Sequence, residues 1–234
     1  MSGRNKHILF WVFSGFLMPS KSSFSFESKL LNQIVNEGNP YRESREYWLG
    51  QLAASETQFC GIRYSDSEKT SYELRSFASL SELSRDGYSI THKGSCGTCS
   101  TLQDLSVYQS HKDLTAPVRK CGSLVWNQKL NMKCLLKLGF TRECAKTWHF
   151  NTKNTAKKCF KICLKSWISG EAYNLEDGAL NSCLACDEYE SGPAFKTVAG
   201  RTRRRSGLIS AIGRPESEMF LVPDHRTQSQ SGIE

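Results

Sequence analysis

Ten cysteines, all between residues 60 and 186, stand downstream of an N-terminal segment laid out as a cleavable secretory signal. Arg4, Lys6 and His7 form a basic start, and Ile8 to Met18 is an apolar run of eleven residues. Pro19 breaks the run, and Ser20 and Ser22 offer the small side chains that a signal peptidase reads. The run is shorter than the roughly 18 to 20 residues that span a bilayer, so residues 1–22 read as a removable signal rather than an anchor. An even number of cysteines sent into an oxidising compartment is expected to be bridged, and each bridge restricts the folds open to the chain.

Cleavage after Ser22 leaves 212 of the 234 residues, enough for one domain with its own core. The expected organisation is a signal over 1–22, a single cysteine-rich domain over 23–214 and a disordered tail over 215–234. Loss of Arg4, Lys6 and Lys21 lowers the formal charge from +8 to +5, too small an excess to imply nucleic acid. No second apolar stretch reaches spanning length, so no membrane association is expected after signal cleavage. No Lys-Asp-Glu-Leu ending and no Asn-x-Ser/Thr sequon occurs, which leaves secretion without N-glycans as the expectation.

The hydrophobic pattern changes period along the chain. Phe26, Leu30, Leu31, Ile34 and Val35 fall on one helical face, closed by Gly38-Asn39-Pro40, and a second helix is expected over Arg42 to Ala54. Phe59 to Tyr64, Tyr72 to Phe77 and Tyr88 to His92 read as short strands. Between the last two, Ser79 with Glu82 has capping-box spacing for a short helix that Gly87 closes. Beyond Ser100, itself read as a cap with Gln103, the pattern is helical. Thr115 opens a further helix, Gly139 and Thr141 mark a helix–turn–helix, and helical stretches carry Cys144 to Trp148, Cys159 to Trp167 and Leu180 to Tyr189. The fold class is therefore α+β and predominantly helical: a small antiparallel sheet early in the mature chain, then a disulfide-stapled helical bundle. Trp126 and Trp167 are expected in its core.

Cys159 and Cys163 are four residues apart and Cys183 and Cys186 three apart, so each pair lies on one helical face. An antiparallel hairpin would set Cys163 opposite Cys183 and Cys159 opposite Cys186, as two rungs. Cys134 and Cys144 flank the Gly139 turn and form the next expected pair. The partners of Cys60, Cys96, Cys99 and Cys121 stay open. A four-thiolate zinc site from Cys96/Cys99 and Cys183/Cys186 is disfavoured by the 83 residues between the pairs, so no metal and no cofactor is expected.

Cys96-Gly97-Thr98-Cys99 at a strand-to-helix junction has the form of a thiol–disulfide redox pair, with Lys93 and His92 adding positive charge nearby. A papain-type site with Cys99 and His225 fails, because Ser100 stands where a Trp is needed and nothing follows His225 to orient it. Arg201, Arg203, Arg204 and Arg205 form the sharpest charge cluster. They read as an anion-binding site, a convertase cleavage signal, or a solvated basic turn. His149, between Trp148 and Asn151, reads as a packed, hydrogen-bonded helix face.

Two longer patterns carry a resemblance. One is Thr91-His92-x-Gly94-x-Cys96-Gly97-x-Cys99-Ser100 with Asp104-Leu105-x-Val107-Tyr108. The other runs from Cys183-Leu184-x-Cys186-Asp187-Glu188 through Ser191-Gly192-Pro193-x-Phe195-Lys196 and Ala199-Gly200-Arg201-Thr202-Arg203-Arg204 to Ser206-Gly207-Leu208. Together they resemble a family of uncharacterised secreted cysteine-rich proteins across Phe59 to Pro215. The resemblance implies one folded unit and no established activity. In that family a further cysteine falls near Arg214-Pro215, where this chain has Gly213 and Glu216, which bears on the order of everything beyond Ile212. Two functional readings follow. One is a secreted, disulfide-stabilised binding or structural protein with an anionic or protein ligand. The other is a secreted thiol–disulfide oxidoreductase using Cys96 and Cys99, with His92 beside them.

Overall fold

The structure is a computed structural model that describes residues 38–67, 69 and 71–222. The secretory signal expected over 1–22, the helix expected around Phe26 to Val35 and the last part of the expected tail, 223–234, lie outside the described residues.

Alternating side chains produce a three-stranded antiparallel sheet of β1 (Phe59–Tyr64), β2 (Tyr72–Phe77) and β3 (Ser89–Lys93), in the order β2-β1-β3. Phe59 faces Phe77 across the first pair and Cys60 faces His92 across the second, with a bulge between Cys60 and Gly61. One side of the sheet is closed by a short helix, α2 (Leu80–Arg85), whose Leu83 packs with Phe77 and Tyr88. Ser79 caps α2 by accepting from the Glu82 amide, so local chemistry sets the start of this helix.

The remaining described helices are α1 (Arg45–Glu56), α3 (Leu102–Ser110), α4 (Thr115–Gly122), α5 (Gln128–Lys137), α6 (Arg142–Ile168), α7 (Ser182–Glu190) and α8 (Gly192–Ala199). The class is thus α+β and mostly helical, with the sheet early in the chain. Where Cys144 to Trp148 and Cys159 to Trp167 are expected as separate helical stretches, α6 is one helix of 27 residues. It contains no Gly or Pro to interrupt it, so its hydrogen-bond ladder runs on. Leu105, Val107, Tyr108, Leu114, Val118, Leu135, Phe140 and Ala145 form the main core between α3, α4, α5 and α6. Trp48 of α1 packs on Ala194 and Val198 of α8 as a second cluster.

The cap of α3 is Thr101 with Asp104, one residue beyond the Ser100 and Gln103 pair, because the Ser100 hydroxyl is engaged by His92 and Gly97. Trp126 and Trp167 are 76% and 67% exposed. Phe140 and Trp148 pack together in the main core, while the buried residues of distal α6 are Cys159, bonded to Cys186 of α7, and Ser166. Residues 215–222, where the tail is expected to begin, include a 3₁₀ turn over Glu216–Glu218. Phe220 lies against Phe59, and its amide donates to the Arg204 carbonyl.

Five disulfides tie these elements together. Cys159–Cys186 and Cys163–Cys183 are both rungs between α6 and α7. Cys134 and Cys144 do not pair with each other. Cys134 bonds Cys121, joining α4 to α5, and Cys144 bonds Cys99. The Gly139 turn sends the two helices away with their cysteines on different faces, so each finds a partner outside the turn. Cys60–Cys96 completes the set. The closed loops, between 13 and 45 residues apart in sequence, each remove about 3 to 4 kcal/mol of chain entropy from the unfolded state.

Glycines at two positions show opposite physics. A Cβ on Gly97 would lie 2.5 Å from the Ala199 carbonyl carbon and the Gly200 amide nitrogen, whereas a Cβ on Gly50, within α1, would meet nothing within 4 Å. Gly50→Ala is therefore expected to raise stability by about 0.5 to 1 kcal/mol, as a helix-interior glycine gains a better former. Gly97→Ala is expected to lower it by at least about 2 kcal/mol through backbone overlap. Urea unfolding of the two variants checks both signs, and a neutral Gly97→Ala contradicts the close approach.

Candidate functional site

The residues singled out by motif converge on one buried junction. The Cys96–Cys99 segment runs beside the end of α8, with the Thr98 amide donating to the Val198 carbonyl at 2.9 Å and the Cys99 amide to the Ala199 carbonyl at 3.0 Å. This contact needs glycine on both sides, since Gly200 has φ +71° and a Cβ there would sit 2.5 Å from the Gly97 nitrogen. Past Gly200 the chain delivers Arg201 into the middle of the molecule, where it is fully buried.

Every N–H of the Arg201 guanidinium has an acceptor. Nε donates to the Cys99 carbonyl at 3.2 Å. Nη1 donates to the Thr91 carbonyl at 3.1 Å and to Ser206 Oγ at 3.0 Å. Nη2 donates to Thr91 Oγ1 at 2.7 Å and to the Ser100 carbonyl at 3.0 Å. These five bonds use the whole donor fork. Among the described residues no carboxylate forms an ion pair with it, so oriented dipoles hold the charge. Burial lowers its pKa to about 10, while Tyr108 and Asp104 act in the other direction, so the guanidinium stays charged at neutral pH.

His92 sits beside this fork, fully buried. Its Nδ1 lies 2.9 Å from the Lys93 carbonyl, which only accepts, so Nδ1 carries the proton. Nε2 then accepts from Ser100 Oγ at 2.7 Å, and Ser100 Oγ accepts from the Gly97 amide. A serine bonded to a histidine has the outline of a nucleophile and base, but both side chains are sealed from solvent and from any substrate. Burial, and then the Arg201 charge, hold His92 well below the ordinary histidine range. Asp104 ties the starts of α3 and α6 together by accepting from Thr101 Oγ1 and from the Thr141 amide and hydroxyl. Burial raises its pKa, and these donors oppose the rise.

The redox reading of Cys96 and Cys99 does not match this geometry. The two sulfurs are not bonded to each other. Cys96 is bonded to Cys60 of β1 and Cys99 to Cys144 of α6, so each fastens the loop to a different layer. Both cysteines are buried, and among the described residues none is free.

The arginine cluster is likewise engaged within the fold. Arg201 is engaged as above. Arg205 is buried and donates to the Lys196 and Gly200 carbonyls and to Glu56. Arg203 donates to the Ile209 and Tyr108 carbonyls. Arg204 pairs with Glu218 and Glu188. Main-chain carbonyls and glutamates are the partners of these guanidinium groups, and residues 204–206 are a 3₁₀ turn rather than the extended segment a convertase accepts.

A different basic surface carries no sequence motif. Lys129, Lys133 and Lys137 run along α5 at four-residue steps and face Arg142 and Lys146 at the start of α6. Trp126, Met132 and Leu136 supply the apolar part of the groove, and no carboxylate among the described residues lines it. The signal lay in charge distribution rather than in any motif. Residues 114–170 hold twelve of the 31 lysines and arginines but only one of the 23 acids, Glu143. That stretch is formally +11 and the rest of the chain −3.

Fold and junction define a disulfide-stapled α+β protein with an arginine at its structural centre. Residues 128–222 match a family model described as a family of unknown function (DUF8771). The match contains both α6–α7 rungs whole and only one cysteine each of Cys121–Cys134 and Cys99–Cys144. No curated protein and no solved structure shows significant similarity to the chain.

The buried histidine makes a pH prediction. An unfolded histidine titrates near 6.5, above folded His92, so the unfolded chain takes up the proton first as pH falls. The contribution of His92 is whole above about pH 6.5 and is lost progressively below it. His149, also lowered by burial, has the same sign. Asp187 has the opposite one. Burial raises it to about 6, so its contribution is whole below the unfolded carboxylate range and lost as pH rises through about 6. Stability should fall from pH 6.5 to pH 5, and His92→Gln should remove up to about 1.4 kcal/mol per pH unit of that slope. Equal slopes for both proteins in chemical unfolding contradict a neutral, buried His92.

Proposed function

We propose that the protein works outside the cell as a disulfide-locked binding protein that presents a fixed surface to an anionic ligand or partner. The observation that carries this reading is the division of Cys96 and Cys99 between two bridges, to Cys60 and to Cys144. A catalytic dithiol has to close on itself and expose one low-pKa sulfur, whereas here each sulfur holds a separate layer in place. Secretion rests on the signal-like start and on the bridged cysteines, since five disulfides persist in oxidising compartments. No helix among the described residues is long and apolar enough to cross a membrane.

Expression in cells with a functioning secretory pathway, followed by intact-mass and non-reducing peptide mapping of the medium, tests the reading. The expected product begins at Ser23, runs past Arg204, and has ten cysteines that resist alkylation before and after mild glutathione treatment. Retention inside the cell contradicts secretion. Selective labelling of Cys96, with Cys99 freed beside it, restores the oxidoreductase reading instead.

A further inference from the structure

We propose that the groove between α5 and α6 is a binding site for a linear sulfated polysaccharide, a ligand class that rests on the extracellular reading above. Lys129, Lys133 and Lys137 repeat every four residues, so their stems leave one face of α5 about 6 Å apart along its axis. Arg142 and Lys146 repeat the same step across the groove on α6. The result is two facing rows of cations around a trough of about 1050 Å³ with no carboxylate among the described residues in its lining. Lys129, Lys133, Lys137 and Arg142 form none of the ion pairs present among the described residues.

The shape of the surface selects among polyanions. A planar lipid headgroup layer would meet the rims of a trough and leave its floor empty, whereas a single flexible chain lies along it. Single-stranded nucleic acid is held by several stacking aromatics in succession, and this groove has one, Trp126, 76% exposed at its end. One indole with Met132 and Leu136 suits the apolar face of a sugar ring, with sulfates directed to the flanking lysines. Lysine serves this purpose as a compact point charge on a flexible stem. Exposed Lys153, Lys157 and Lys161 continue the row beyond the groove on the Arg142 side of α6. From Arg142 to Lys161 the helix rises about 28 Å, so a longer chain meets more cations than a short one.

The test is binding of size-defined heparin-derived oligosaccharides to the purified, oxidised full chain by calorimetry, across a salt series centred on about 150 mM. Binding should tighten with oligosaccharide length and weaken with salt. Combined Lys129→Ala, Lys133→Ala and Lys137→Ala should weaken it at least about tenfold and flatten the salt dependence, with melting temperature unchanged because all three side chains are exposed. Combined Arg42→Ala, Arg85→Ala and Lys112→Ala removes the same charge elsewhere and should change affinity less than about twofold. Equal losses in the two triple variants, or no binding near physiological salt, overturn the proposal. Tighter, Lys129-dependent binding to anionic vesicles or to oligo-dT overturns it in favour of a membrane or a nucleic acid. The purified protein does not depend on its route out of the cell. A failure of secretion and a failure of the groove are therefore seen in different experiments.

Discussion

A fully buried arginine without a carboxylate partner is the constraint on which the rest of this structure depends. Taking a guanidinium out of water is costly, and the cost is met only if every N–H finds an acceptor in place. Arg201 finds them on Thr91 of β3, on Cys99 and Ser100 of the loop before α3, and on Ser206 of the turn beyond. All but Ser206 come from positions about a hundred residues away and have to be held at the correct spacing by something other than the arginine.

The surrounding features do that holding. Cys60–Cys96 fastens the loop to the sheet and Cys99–Cys144 fastens it to α6. Gly97 and Gly200 let the loop and the end of α8 approach at main-chain distance, which aims the Ser100 and Cys99 carbonyls inward. His92, neutral and with a fixed tautomer, orients the Ser100 hydroxyl without adding a second charge beside the guanidinium. Two bridges, two glycines and a histidine thus belong to one assembly. An outer pair of rungs between α6 and α7 stiffens a hairpin whose opposite side faces solvent. The molecule is rigid at its centre and leaves its basic character on the α5–α6 side.

Local features were legible in the residues because local physics decides them. Alternation placed β1 at Phe59–Tyr64 and β2 at Tyr72–Phe77 to the residue, and Ser79 marked the start of α2. The three- and four-residue steps of Cys183/Cys186 and Cys159/Cys163 fixed which helix faces meet. What stayed hidden depends on tertiary neighbours. An arginine run reads as surface by composition, because arginine is seldom buried, and nothing near Arg201 announces carbonyls delivered from residues 91, 99 and 100. The Cys96-Gly97-Thr98-Cys99 spacing reads as a redox pair until its sulfurs are seen to leave in different directions. Trp126 reads as core by residue type, yet it is 76% exposed while Phe140 and Trp148 pack in the main core. The lysine surface carries no motif, only a charge imbalance spread over 57 residues.

Equilibrium urea unfolding of Arg201→Gln against Arg204→Gln, disulfides intact, bears most directly on this picture. Both changes remove one positive charge from the same run of sequence. With the fork as the organising contact, Arg201→Gln should lose at least about 3 kcal/mol, because several buried carbonyl and hydroxyl acceptors are left without a donor. Arg204→Gln, at partly exposed ion pairs, should lose less than about 1 kcal/mol. Losses of the same small size in both variants would contradict a fold organised around Arg201.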